Sequence, residues 1–268
     1  NWTVPGPDVR IVQIDVDPIE LGRNYPDVTA VCGDPRTAIE DLVDAVSGPA
    51  AGWSDWTKSA RHRFDQWWAT RHELRRSGDT PIHVDRICAA LSDLLPDDGI
   101  LVADTGYSGI WTGTMVELRS PDQTYLRAAG SLGWSFPAAI GAKCAAPGRP
   151  VVCFTGDGAF YYHVGELETA RRLGLPMVVV VNNNAGFGQG LYRVRAMQGD
   201  RPGNPDALLC HGPTNFADVA RAFGCEGIRV EDPTDVAPAI ARALAMPAPV
   251  VVDVATSMES RAPDAWSP

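Results

Sequence analysis

Two short aliphatic runs in this chain end in oxygen-bearing side chains. Val151-Val152-Cys153-Phe154-Thr155 runs into Gly156-Asp157-Gly158-Ala159, and Met177 to Val181 runs into Asn182-Asn183-Asn184-Ala185-Gly186. A carboxylate and an amide oxygen are hard ligands suited to Mg²⁺ or Ca²⁺, and a phosphate would complete the coordination. The glycines around Asp157 permit a sharp turn and a close backbone approach. Rival phosphate motifs fail: there is no G-x-x-x-x-G-K-[ST], and Gly186, Gly188 and Gly190 do not make the dinucleotide fingerprint. That glycine run is expected to follow a strand without opening a helix. Other side chains give weaker signals. His163 is a candidate proton donor but reads first as a surface or packing residue, and His211 is a candidate to face the site but reads first as solvent-exposed. His62, His72 and His83 read as unremarkable, and Gln189 is a weak candidate for a substrate contact.

The elements that must position these residues follow an alternating rhythm. Strands are expected at 9–16, 28–32, 100–103, 124–128, 150–155, 177–181, 226–230 and 250–254. Helices are expected at 18–24, 34–46, 82–95, 104–116, 135–146, 164–173, 215–223 and 233–245. Residues 182–213 read as one long irregular segment. Asp34 can cap the second helix, with Pro35 in its first turn. Short buried strands without alternation, separated by helices, predict an α/β fold with a doubly wound parallel sheet. Such sheets bind ligands at the carboxyl ends of their strands, where Asp157 and Asn184 fall. Residues 1–46 hold two β-α units, too few for a good core, and read as the end of a Rossmann-like domain that starts upstream. A Pro/Gly/Ala joint spans 47–52. The polar and aromatic stretch 53–76, with Trp53, Trp56, Phe64, Trp67 and Trp68, reads as a packed helix within a linker over 47–79. Residues 80–268 form the second domain.

Composition narrows the function. The 268 residues carry a net charge of −10, with 45% hydrophobic and 21% charged side chains. Nucleic-acid binders show a basic patch, and the densest basic stretch here, Arg61 to Arg76, also holds Asp65 and Glu73. The longest aliphatic run, Met177 to Val181, is far too short to span a membrane. The first residues lack a signal-peptide pattern and an initiator Met, which suggests a trimmed or split chain. None of the six cysteines forms C-x-x-C; Cys88, Cys144 and Cys153 lie among apolar neighbours, and the set reads as buried, reduced thiols of a cytoplasmic protein.

Taken together, Gly156-Asp157-Gly158, 24 further residues and Asn183-Asn184 resemble the signature of the thiamine diphosphate-dependent enzymes. Glu166-Leu167-Glu168-Thr169-Ala170 and Leu175-Pro176 are similar to that family as well. Gly130-Ser131-Leu132-Gly133, Pro137 to Ala142, and Asp104-Thr105-Gly106-Tyr107-Ser108 with Trp111 resemble its acetolactate synthase-like branch. Val12 to Pro18 looks like the tail of its middle domain, with 80–268 as the diphosphate-binding domain. The resemblance implies thiamine diphosphate with Mg²⁺, held by Asp157, Asn184 and the Gly186 carbonyl. It implies that Gly158 and Ala159 give backbone N–H groups to the diphosphate, that Gly156 and Phe187 line it, and that Thr105, Gly106, Tyr107 and Ser108 line its other side. It gives Gly130 a carbonyl for the 4′-amino group, and makes Leu132 the bulky residue that bends the cofactor. The implied reaction is decarboxylation and carboligation of 2-oxo acids. A 2-hydroxyacyl-CoA lyase or related decarboxylase is an alternative, because Asn184 to Gly190 resembles that branch; a non-catalytic subunit is another. The glutamate of a pyrimidine-binding domain has no counterpart here. The expected partner is therefore a chain carrying that domain, in a homo- or hetero-oligomer without nucleic acid or membrane.

Overall fold

Alternating strands and helices recur in the structure, a computed structural model that describes residues 5–6, 8–46, 48, 53–199 and 201–263. The chain divides into two units, Asn1–Gln66 and Trp67–Pro268. The first four residues and most of the joint expected at 47–52 lie outside the described residues.

In the first unit β1 (Ile11–Asp15) pairs in parallel with β2 (Val28–Cys32), and α1 (Pro35–Ala45) follows. Asp34 caps α1, its Oδ1 accepting from the N–H groups of Arg36 at 3.0 Å and Thr37 at 3.1 Å. The helix expected at 18–24 is a run of turns. Gln13 explains this: its amide donates to the Glu20 carbonyl and accepts from Gly22 N–H, taking groups a helix would need. No described residue of this unit is buried. Helix α2 (Trp53–Ala69) contains the boundary between the units; Trp53, Trp56 and Phe64 stand exposed, while Trp67 and Trp68 pack against the core of the second unit as expected.

The second unit holds the core. Its elements are α3 (Val84–Leu94), β3 (Ile100–Ala103), α4 (Tyr107–Met115), β4 (Thr124–Arg127), α5 (Ser135–Ala145), β5 (Val151–Gly156), α6 (Asp157–His163), α7 (Glu166–Arg172), β6 (Val178–Asn183), α8 (Gly188–Gln198), α9 (Pro205–Leu209), α10 (Phe216–Ala222), β7 (Glu226–Val230), α11 (Val236–Leu244) and β8 (Val250–Ala255). All six strands run parallel in the order β4-β3-β5-β6-β8-β7. Both faces are covered, which is why the strands do not alternate. Val152 and Phe154 pack with α3, α4 and α11 on one face. Val151 and Cys153 pack with α5, α7 and α10 on the other. From β3 the chain winds outward to β4, then returns past β3 to β5 and continues the other way. The strand order therefore reverses between β3 and β5, where a crevice opens at the strand ends.

Further expectations in this unit and among the cysteines are corrected. Residues 182–213 are not one irregular segment: α8 and α9 lie within them, and the glycine run does open a helix. Gly188 and Gly190 sit in the first turn of α8, where their conformational cost is offset by the buried Leu191. Helix α6 lies where no element was expected. Of the six free cysteines, Cys88, Cys153 and Cys225 are buried, while Cys32, Cys144 and Cys210 are exposed. No helix among the described residues is long and apolar enough to cross a membrane.

Candidate functional site

Strand β5 delivers Asp157 to the carboxyl edge of the sheet, where it opens α6. The residue is 1% exposed. Oδ1 accepts from Gly158 N–H at 2.8 Å and Oδ2 from Gly186 N–H at 3.1 Å. Burial pushes its carboxyl up to about 6, against the opposing pull of these hydrogen bonds and of His211. A buried carboxylate that still resists ionisation is one that a nearby cation would stabilise.

Strand β6 delivers three asparagines, and their partners separate them. Asn182 Oδ1 accepts from the Thr256 hydroxyl at 2.6 Å. Asn183 Nδ2 donates to the Thr214 carbonyl and to Asp253 Oδ1, each at 2.8 Å. Asn184 Oδ1 is buried and has no hydrogen-bond partner. Of the three, Asn184 has an oxygen to give. No group of three or more His, Cys, Asp or Glu side chains among the described residues could hold a metal ion by itself. A cation held by Asp157 and Asn184 thus needs carbonyl, phosphate or water oxygens besides.

The opposite wall rises from the tip of β3. Asp104 is fully buried and accepts three backbone N–H groups: Thr105 at 2.9 Å, Gly133 at 3.0 Å and Ser135 at 2.9 Å. It ties the β3 turn to the 131–135 loop that carries Leu132. Gly106, at φ +64, makes the turn into α4, whose first-turn N–H groups suit an anion.

Between the walls lies a cavity of ≈ 430 Å³. Thr105, Gly106, Tyr107, Ser108, Leu132, Gly156, Asp157, Gly158, Ala159, Asn184, Gly186 and Phe187 all line it. Gly130 is not among the lining residues; it stands exposed, at φ +131. Gly158 N–H is engaged by Asp157. What Gly158 contributes is room, because a Cβ there would come within 2.6 Å of Phe187 Cε1. Gly186 is as confined, with a Cβ meeting Met258 Cε at 2.6 Å and the Leu209 carbonyl at 2.8 Å. The anion-friendly turn, the buried carboxylate and the unpartnered Asn184 oxygen fit a divalent cation carrying a diphosphate.

Sequence reading undervalued two residues. Asp104 was visible only as part of a turn motif, and its three N–H partners could not be anticipated. His211 was expected in solvent. Instead its Nε2 lies 3.7 Å from Asp157 Oδ2, with the side chain 23% exposed. The paired backbone of 209–211 and 185–187 brings it there, which nothing local in the sequence signals. His163 is exposed, and Gln189 lines the cavity.

Comparison with known proteins yields a family match. The profile described as thiamine pyrophosphate enzyme, C-terminal TPP binding domain, matches residues 104–254, more than half the chain. The acetolactate synthase large subunit of Parasynechococcus marenigrum is 30% identical over 257 residues, covering 92% of this chain and 39% of that protein. That of Porphyra purpurea is 26% identical over 246 residues, covering 92% and 41%. The acetolactate synthase of Mycobacterium bovis is 27% identical over 266 residues, again covering 92% and 41%. The chain thus spans about two fifths of the length of these curated relatives.

Proposed function

Because the chain belongs to the thiamine pyrophosphate enzymes through their C-terminal cofactor-binding domain, we propose that it builds the diphosphate end of an acetolactate synthase-like active site. The reaction is decarboxylation of a 2-oxo acid followed by carboligation, as the names of the relatives suggest. The cofactor is thiamine diphosphate. One observation carries the reading: the buried Asp157 carboxylate and the orphaned Asn184 oxygen line a single cavity at the point where the strand order reverses.

In this reading Asp157, Asn184 and the Gly186 carbonyl hold Mg²⁺, and Asp157 supplies the protein's negative charge to it. Thr105, Gly106, Tyr107 and Ser108 line the far side of the diphosphate, while Gly156, Gly158 and Ala159 keep the near wall close. Phe187 closes over Gly158. Leu132 would back the cofactor from this wall, and the Gly130 carbonyl would be the acceptor for its 4′-amino group once the other domain closes the site. When bound, the cofactor supplies the electron sink for making and breaking carbon–carbon bonds. The side chains of this wall exclude water around the reacting carbons and fix the anion that anchors them. A pyrimidine-binding domain with its glutamate, on a partner chain or elsewhere in an oligomer, completes the other end.

The test is an assay of the assembled protein with pyruvate, thiamine diphosphate and Mg²⁺. Pyruvate consumption with carbon dioxide release and a carboligated product is expected, abolished by chelation and by Asp157→Ala. Cleavage of a 2-hydroxyacyl-CoA without turnover of any 2-oxo acid would overturn the assignment.

A further inference from the structure

His211 is held more firmly than its place in a connecting segment suggests. Its N–H donates to the Ala185 carbonyl at 2.9 Å, and Phe187 N–H donates to the Leu209 carbonyl at 2.9 Å, so 209–211 lies zipped along 185–187. Three residues on, the Thr214 carbonyl accepts from Asn183 Nδ2 and its hydroxyl pairs with Tyr161. The imidazole stands edge-on between the rings of Tyr161, at 5.0 Å and 86°, and Phe187, at 6.0 Å and 86°. Its Nδ1 faces the Gly212 carbonyl at 3.4 Å. An N–H at Nδ1 satisfies that carbonyl and leaves the lone pair on Nε2, the tautomer that ligating histidines adopt. Nε2 is buried and has no hydrogen-bond partner.

That nitrogen sits 3.7 Å from Asp157 Oδ2, too far for a hydrogen bond. Two donors each about 2.1 Å from one octahedral ion stand about 3.0 Å apart at the right angle that neighbouring ligands adopt, so the imidazole, which does not line the cavity, must close on Asp157 by about 0.7 Å when the ion binds. We propose that His211 Nε2 is a further protein ligand of the divalent cation held by Asp157 and Asn184, an inference that rests on the cation site proposed above. A nitrogen donor favours Mn²⁺ and Co²⁺ relative to Mg²⁺, which prefers oxygen. The site is therefore tuned toward transition-metal ions by this one side chain.

The test titrates the full chain with MnCl₂, CoCl₂ and MgCl₂ separately, comparing the unmodified protein with His211→Ala and Asp157→Ala. Bound Mn²⁺ should show imidazole ¹⁴N modulation in its spin-echo spectrum, lost in His211→Ala. Co²⁺ affinity should fall about tenfold in that variant, while Mg²⁺ affinity moves less than about twofold. His211→Asn repeats the comparison should the alanine variant lose its fold. Asp157-dependent binding without the nitrogen signal, and with equal affinities in the His211 variants, would overturn the inference and leave the cation site standing. Absence of Asp157-dependent binding of any ion would overturn the site itself.

Discussion

The two ends of the cavity are finished to different degrees. At the Asp157 end the chain provides a buried carboxylate, a buried amide oxygen, two confined glycines and an imidazole held between two rings. At the Leu132 end the walls thin out. Gly130 is exposed, Leu132 is half-buried, and the neighbouring Trp134 and Tyr162 are 37% and 60% exposed. Polar groups in the first region have specific partners, apart from the buried Asn184 Oδ1 and His211 Nε2. Apolar groups in the second present surface without cover. The contrast is in keeping with the proposal that this chain builds the anchor and another domain completes the reactive end.

Removing the anchor should have the largest effect. Asp157→Ala deletes the carboxylate among the proposed ligands, and Mg²⁺-dependent cofactor binding, followed by calorimetry, should fall by about 100-fold or more. Binding that survives would erase the distinction between the two ends.

Asp104 joins the β3 turn to the Leu132 loop, so its loss should disturb both walls together. Asp104→Ala leaves the buried Gly133 and Ser135 N–H groups without their acceptor. At about 1–3 kcal/mol for each orphaned donor, a loss of about 3 kcal/mol is expected. The melting temperature should drop by roughly 6–12 °C. A drop of only about a degree would mean that water replaces the carboxylate at little cost.

Gly158→Ala acts on the anchor alone. The added methyl meets the Phe187 ring, and cofactor affinity should fall about tenfold, with Phe187→Leu restoring part of it. Leu132→Ala probes the other end and should alter affinity least, by about twofold. Hydrogen–deuterium exchange at the thiazolium carbon of the assembled enzyme should slow. Unchanged exchange would make Leu132 a plain wall residue.

How much of this was legible depends on how local the cause is. Strands β2, β3 and β7 fall at their expected limits, β3 because its aliphatic run Ile100–Ala103 is bounded by turn residues and the other two because β-branched residues recur between turn residues. Asp157 and Asn184 were legible because both follow such runs. The contrast among Asn182, Asn183 and Asn184 was not, since it is decided by Thr256, Thr214 and Asp253, which lie 74, 31 and 70 residues away from their partners. Helix α8 was obscured by glycines that a buried leucine compensates. His211 depends on a strap whose pairing exists only in the folded chain.

The contrast between the two ends is tested most directly by nuclear magnetic resonance of thiamine diphosphate mixed with this chain and Mg²⁺. Phosphorus-31 spectra report the anchor, and saturation transfer to the cofactor's protons reports the other end. The predicted result is phosphorus resonances that shift and broaden, reverting in Asp157→Ala, while the aminopyrimidine protons receive little saturation. Strong saturation of the aminopyrimidine, with phosphorus resonances that ignore Mg²⁺ and Asp157, would contradict it.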